Sequence, residues 1–139
     1  MKDPRLWGTS AWNFIHHVTV EFPNVPTPLD KQRYTNFING LRFVLPCHTC
    51  RKHFTYLLQK NPIHYFLHNT HSFMKWGWTI HNAVNKRLGK KFFSWIEFEK
   101  KYIRNQASFS YFSLNKNKII SYFLLLLILL VIIYSVVSK

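Results

Sequence analysis

Residues 45 to 54 read LPCHTCRKHF and contain the only two cysteines of the chain. Pro46 closes any helix that reaches it from the N-terminal side, because the residue before a proline is pushed out of the helical region. Cys47 and Cys50 then open a new helix, where a spacing of three places both sulfurs on one face. Working outward, the same punctuation recurs. Residues 7 to 22 form a helix ended by Pro23. Thr27 caps a second helix, with Pro28 at its first position and Asp30 in its first turn; it runs to about Leu45. The helix opened by the cysteines extends to about Lys60 and is closed by Asn61-Pro62. A fourth runs from about Thr70 to Leu88, with Gly89 as its stop. Ser94 and Glu97 make a capping box for a short fifth helix, 95 to about 106. No stretch shows sustained period-two alternation or an Asn-Gly hairpin signal. The expected fold is all-α: a four-helix bundle with a short fifth helix.

Composition narrows the class. At 139 residues the chain is long enough for one domain with an appendage. Its formal charge of +14 draws it to anions: nucleic acid, anionic lipid or a phosphate-bearing cofactor. Two cysteines cannot build the multi-bridge framework of a small secreted protein. MKDPRLWGTSAW carries charges with no apolar run behind them, so no secretory signal is expected and the folded part should meet the cytosol. A C-x-x-C there is more often catalytic or metal-binding than structural.

The C-terminal stretch 119 to 137, IISYFLLLLILLVIIYSVV, has no charged residue. Its length approaches the roughly 20 residues that cross a bilayer as a helix. Tyr122 and Tyr134 lie near its ends, where aromatic belts sit. Lys116 and Lys118 precede it, which places the main domain on the cytoplasmic side. The expected organisation is a soluble domain over 1–106, a Ser- and Asn-rich linker over 107–118 and a transmembrane tail anchor over 119–137. The soluble part keeps most of the charge, 16 Lys+Arg against 5 Asp+Glu.

Three chemistries compete for the cysteine pair. A closed zinc site needs four ligands, commonly two separated pairs. This chain has no second C-x-x-C and no H-x3-5-H pair, so no metal site is expected. A c-type haem needs histidine after the second cysteine, and Arg51 stands there. Two buried cysteines acting as small apolar residues sit poorly beside Arg51 and Lys52. Redox exchange fits best, because helix N-terminal amides and adjacent cations stabilise a thiolate, and a thiolate is what exchanges with disulfides. A thioredoxin-like motif would need a βαβ context that is missing. An all-helical C-x-x-C protein needs another place to send two electrons, and a flavin is the obvious candidate.

Three blocks give this reading a family. WGTSAWNFIHHV (7–18) is similar to a G-x-x-x-W-x-x-x-H opening, LPCHTC (45–50) to P-C-x-x-C, and WGWTIHNAVNKRLGK (76–90) to W-x4-HN-x-VN-x-x-L-x-K. Over residues 5 to 104 the chain resembles the FAD-linked sulfhydryl oxidases of the Erv/ALR family. The resemblance implies a helical bundle holding FAD noncovalently. It also implies oxidation of a protein dithiol or a thiol carrier, with electrons passing to oxygen and hydrogen peroxide released. Cys50 would lie beside the isoalloxazine, while Cys47 would be the exposed sulfur that exchanges with substrate. Gly8, Trp12 and His16 on the first helix and His81, Asn82, Val84, Asn85 and Leu88 on the fourth would surround the cofactor. Lys86 and Lys90 would meet the pyrophosphate. Tyr102 stands where the family often has a tryptophan near the adenine, and Phe93 would line the same site.

The chain departs from the pattern in one respect. It has none of the additional cysteines that many members use as a shuttle pair, a helix tie or an inter-subunit bridge. Cys47 would then meet substrate directly, and any homodimer would be noncovalent. Such minimal versions resemble the oxidases of large cytoplasmic DNA viruses, which would put the anchored enzyme at a virion or virus-modified membrane. The competing class is a nonenzymatic, basic, membrane-tethered adaptor with a structural C-x-x-C. The charge suits it, but it gives no reason for the buried polar set around His81 and Asn85, and no nucleic-acid partner is expected.

Overall fold

The computed structural model describes residues 3–137, with side chains undescribed at 105–115, 117, 132, 136 and 137. No strand occurs among the described residues. The chain divides into two compact units, Met1–Tyr102 and Ile103–Lys139.

The first unit is built on four helices: α1 (Pro4–Val20), α2 (Pro28–Val44), α3 (His48–Lys60) and α4 (Thr70–Arg87). Each begins where side-chain chemistry satisfies the free amides of a first turn. Asp3 accepts from the Arg5 amide ahead of α1. Thr27 and Asp30 form a reciprocal capping box on α2, and Asn69 accepts from the Ser72 amide on α4. The cap of α3 is Cys47 itself, whose sulfur accepts from the Cys50 amide at 3.3 Å. Gly89 ends α4 at φ +63°, a conformation that costs any other L-residue. Relative to the sequence reading, α1 starts three residues earlier, because Pro4 occupies its first turn and Asp3 caps it.

α1 packs on α4 and α2 on α3. Between them lies a core of Phe22, Ile38, Phe54, Leu57, Leu58, Ile63, Leu67, Phe73, Trp76 and Ile80. Trp76 is fully core: it is 1% exposed and its indole N–H donates to the Asn61 carbonyl at 3.0 Å. Phe22, Tyr34 and Phe73 meet edge to face. The Thr70 hydroxyl donates to the Phe22 carbonyl at 2.7 Å and ties the start of α4 to the end of α1.

One expectation is corrected after α4. The fifth helix is not one α-helical run to residue 106. α5 (Trp95–Phe98) follows its Ser94/Glu97 capping box and passes into a π-helical turn, Glu99–Arg104. The segment 107–118, expected as a linker, lies inside the helix α6 (Asn105–Val137). Nothing between 105 and 137 breaks a helix, since that stretch has no Gly or Pro, and extending a helix is cheaper than starting one. Within α6, Lys118–Ser135 is long and apolar enough to cross a membrane, with none of that window buried.

Candidate active site

α3 presents Cys50 to a cavity of about 430 Å³ walled by α1, the end of α2, α3, α4 and the π turn. Cys47 and Cys50 are joined by a disulfide, with Cα atoms 5.1 Å apart. Both sulfurs face inward because N-cap and third position fall on one side of the first turn. The Cys50 amide and the Thr49 hydroxyl, the latter at 3.1 Å, lie against the Cys47 sulfur. Cys50 lines the cavity and is half-buried. Cys47 is 2% exposed, contrary to the expectation of an exposed exchanging sulfur. As the cap it is tucked beneath the first turn of its helix, while Pro46, His48 and Thr49 around it are exposed.

On the opposite wall, α4 brings His81, Val84, Asn85 and Leu88 to the cavity, as the helical period requires. α1 contributes Gly8 and Trp12. The Trp12 and His81 rings stack at 4.3 Å and 8°, forming one flat shelf. His16 does not reach the cavity. It is fully buried behind His81, the two rings hydrogen-bonded Nε2 to Nδ1 at 2.8 Å. Burial, with the charges of His81, Lys101 and His17 adding, pushes His16 down to about 3. Burial, then Lys101 and Lys90, pushes His81 down to about 4. Both rings are neutral at pH 7, so one donates and the other accepts. His16 Nδ1 has no partner and sits close to Gly77. A bare nitrogen there costs less than a stranded N–H, so His16 donates through Nε2 and His81 keeps its own Nε2–H for the cavity.

Asn82 and Phe93 are placed differently from the expectation. The Asn82 amide donates to the Phe93 carbonyl at 2.9 Å and its oxygen accepts from the Phe93 amide at 2.8 Å. The Trp78 indole also donates to that carbonyl, at 2.7 Å. Asn82 therefore latches the connection after α4. The Phe93 ring packs among His16, His81, Phe98 and Tyr102, behind the cavity rather than in its wall. Lys86 is exposed and does not line the cavity, because it follows Asn85 by 100° of helix turn. Lys90 does line it, brought round by the Gly89 turn and an amide bond to the Asn85 carbonyl at 2.9 Å.

Tyr102, expected in the site, completes the walls together with residues the sequence reading passed over. Lys101 and Tyr102, adjacent on the π turn, both donate to the Asn13 side-chain oxygen at 2.8 Å. Burial pushes the Tyr102 hydroxyl up to about 12. Arg5, Arg87, Lys90 and Lys101 bring four cations to a cavity with one carboxylate, Asp3, which Arg5 engages at 2.6 Å. His53 lies one turn beyond Cys50 on α3 and lines the same space; burial and the nearby Arg87 hold it below the usual imidazole range. Its i+3 relation to Cys50 was the available signal. Trp7 also lines the cavity, with its indole N–H buried and unpartnered. No cluster of metal-ligating groups occurs among the described residues.

This geometry has known counterparts. The Erv1/Alr family model matches residues 9–103. The "Probable FAD-linked sulfhydryl oxidase R368" of Acanthamoeba polyphaga mimivirus is 40% identical over 95 residues, covering 68% of this chain and 66% of that protein. The FAD-linked sulfhydryl oxidase of African swine fever virus is 36% identical over 96 residues, covering 69% of this chain and 79% of its own. Among solved structures, the FAD-binding domain of Erv1 from Saccharomyces cerevisiae superposes with a TM-score of 0.68 at 28% identity, over 73% of this chain and 95% of that one. The matched region runs through the helix of Trp12, the cysteine pair and the His81 face, the same elements that wall the cavity, and the chain belongs to the Erv1/Alr family.

Proposed function

We propose that the chain is an FAD-dependent thiol oxidase that forms disulfides in protein dithiols or in a thiol carrier. One observation carries the reading: a disulfide opens onto a cavity that combines a flat aromatic shelf with a cationic rim. FAD needs both, a slot for a planar ring system and positive charge for its pyrophosphate. The unpartnered Trp7 N–H in the cavity wall is a further mark of a missing acceptor. Gly8, Trp12, His81, Val84, Asn85 and Leu88 would hold the cofactor, with Lys90 and Lys101 at its phosphates. When bound, FAD supplies the two-electron acceptor that restores the disulfide and passes the pair to oxygen, giving hydrogen peroxide.

The protein's own steps follow from the sulfur chemistry. A substrate thiolate attacks the Cys47 sulfur, forming a mixed disulfide and releasing Cys50 as a thiolate facing the cavity. The second substrate thiolate attacks its partner sulfur in the mixed disulfide, and the substrate leaves oxidised. Cys47 departs as a thiolate, held by the Cys50 amide and the Thr49 hydroxyl. Two electrons have moved from substrate to the cysteine pair, and two protons have been left to solvent. His16 and His81, uncharged at neutral pH, orient the shelf without placing a cation behind it.

The visible spectrum of the full chain in detergent tests this reading. Purified protein should be yellow, bleach with dithiothreitol under nitrogen and recover its colour in air, and Cys50→Ser should not turn over. Protein that stays folded, colourless and refractory to added FAD would instead support the adaptor.

Placement is part of the proposal. The apolar span of α6 suits a tail anchor, and Lys116 and Lys118 ahead of it suit a cytoplasmic catalytic unit. Resistance to carbonate extraction, lost on deleting residues 119–139, tests the anchor. The mimivirus and African swine fever virus relatives support a role at a virion or virus-modified membrane. Family resemblance supports a homodimer; with both cysteines in one disulfide, no sulfur is left to bridge two copies.

A further inference from the structure

Residues 31 to 96 contain eleven Lys and Arg and no Asp or Glu. The disulfide lies within this stretch. Immediately before it, the end of α2 leaves two large apolar residues in solvent: Phe43 is 67% exposed and Val44 71% exposed. Pro46 is exposed beside them. The Arg42 guanidinium lies over the Phe43 ring at 4.8 Å. Across the α2–α3 connection, Lys52 is exposed on α3. Among the described residues neither Arg42 nor Lys52 forms an ion pair. The connection is held in place: the Leu45 amide bonds the Leu41 carbonyl at 3.1 Å, and the Arg51 guanidinium donates to the Leu45 carbonyl at 2.9 Å. The result is a fixed connection with an exposed apolar pair, one cation over it at Arg42 and another exposed on the following helix at Lys52, in the same segment as a sulfur that solvent hardly touches.

We propose that this apolar ledge, Phe43 and Val44, together with the cations Arg42 and Lys52, docks the substrate, and that it selects dithiols carried on acidic segments. This rests on the oxidase reading and adds the substrate's chemistry. An acidic chain is drawn to these cations, which raises the rate of encounter and suppresses basic competitors. An apolar side chain beside its cysteines packs on Phe43 and Val44, whose exposure is otherwise unfavourable. Because the ledge is preorganised, little ordering cost opposes docking. The contact also orients the incoming thiol toward Cys47, where exposure alone would give few productive approaches.

The test uses the full chain in detergent and three reduced peptides with the same C-x-x-C core, flanked by Glu, by Ser or by Lys. At low salt, about 20 mM, kcat/KM should be roughly tenfold higher for the acidic than for the basic peptide, and the ratio should shrink toward one near 0.5 M salt as the charges are screened. The double variant Arg42→Glu/Lys52→Glu should invert the order while dithiothreitol turnover stays unchanged. Phe43→Ser should raise KM for the peptides and leave dithiothreitol untouched. Fluorescence anisotropy of the same peptides with serine in place of cysteine gives the ranking without turnover. Equal binding of the three, or preference for the basic one, overturns the proposal. So does a change in subunit number for the variants with the ranking unmoved, which would make the ledge an interface between copies, or a preference for anionic over neutral vesicles that abolishes peptide ranking. Loss of dithiothreitol turnover in the unaltered chain overturns the oxidase reading instead, and the anisotropy ranking still decides the docking surface.

Discussion

At Gly77 the absence of a side chain lets α1 and α4 approach. A Cβ there would lie 3.1 Å from the Thr19 methyl and 3.6 Å from His16 Nδ1. Thr19 cannot swing aside cheaply, since it is fully buried and its hydroxyl bonds the His16 carbonyl at 2.8 Å. Alanine gains about 1 kcal/mol of helix propensity, but the contact more than offsets it. Gly77→Ala should therefore destabilise by about 1 kcal/mol in urea melts and displace His16. Trp7 poses a different question, that of an indole N–H with no protein acceptor. Trp7→Phe keeps an aromatic ring in the wall, though a smaller one, and removes the donor. It should weaken FAD by about 1 kcal/mol, roughly fivefold in Kd, read by titrating apoprotein with FAD and following flavin fluorescence. Unchanged affinity would leave that N–H without a role in the site. Single residues were also where sequence reading stopped short. That His81 and Asn85 share a face was legible because the helical period sets it, whereas their place in a cofactor site came only from the family resemblance. Lys101 was not, since a π turn, which no local signal announces, carries it beside Asn13. Lys86 was misplaced for a related reason: its neighbour Asn85 faces the cavity, and one step along a helix turns away.

Elements were legible where their ends are decided locally. Thr27 with Asp30, Ser94 with Glu97, and Gly89 each mark a boundary through backbone hydrogen bonds that lie within a few residues. The stretch beyond α5 was not legible, because a Ser- and Asn-rich segment reads as irregular until it is seen to be flanked by helix on both sides. The connection after α4 depends on a long-range bond, Asn82 to Phe93, eleven residues apart. Asn82→Ala would strand the Phe93 amide and free one bond of its carbonyl. The expected cost is about 2 kcal/mol in a denaturant melt, together with faster proteolysis between Leu88 and Ser94. Asn82→Asp keeps the acceptor for the Phe93 amide and should recover part of that loss.

For the whole molecule, the buried imidazoles set the acid limit. The folded values of His16 and His81, about 3 and about 4, lie below the ordinary 6.5. The unfolded chain therefore binds more protons between those limits, and stability falls as pH drops from about 6.5 toward 4 while staying flat above. Urea midpoints measured from pH 8 to pH 4 should show that shape, and a His16→Asn/His81→Asn chain should be flatter over the same window even if less stable at pH 7. The bundle also has a helix whose first turn is fastened by a reactive atom. Cys47 both caps α3 and belongs to the disulfide, so oxidised and reduced protein differ in how one of four core helices is fastened. A thiolate accepts an amide hydrogen more strongly than a disulfide sulfur does. Deuterium should enter the first turn of α3, at the Cys50 amide, more slowly in the reduced molecule, and alkylating Cys47 should reverse the order. Each turnover would then leave a mark on backbone breathing, readable by mass spectrometry without any view of the flavin.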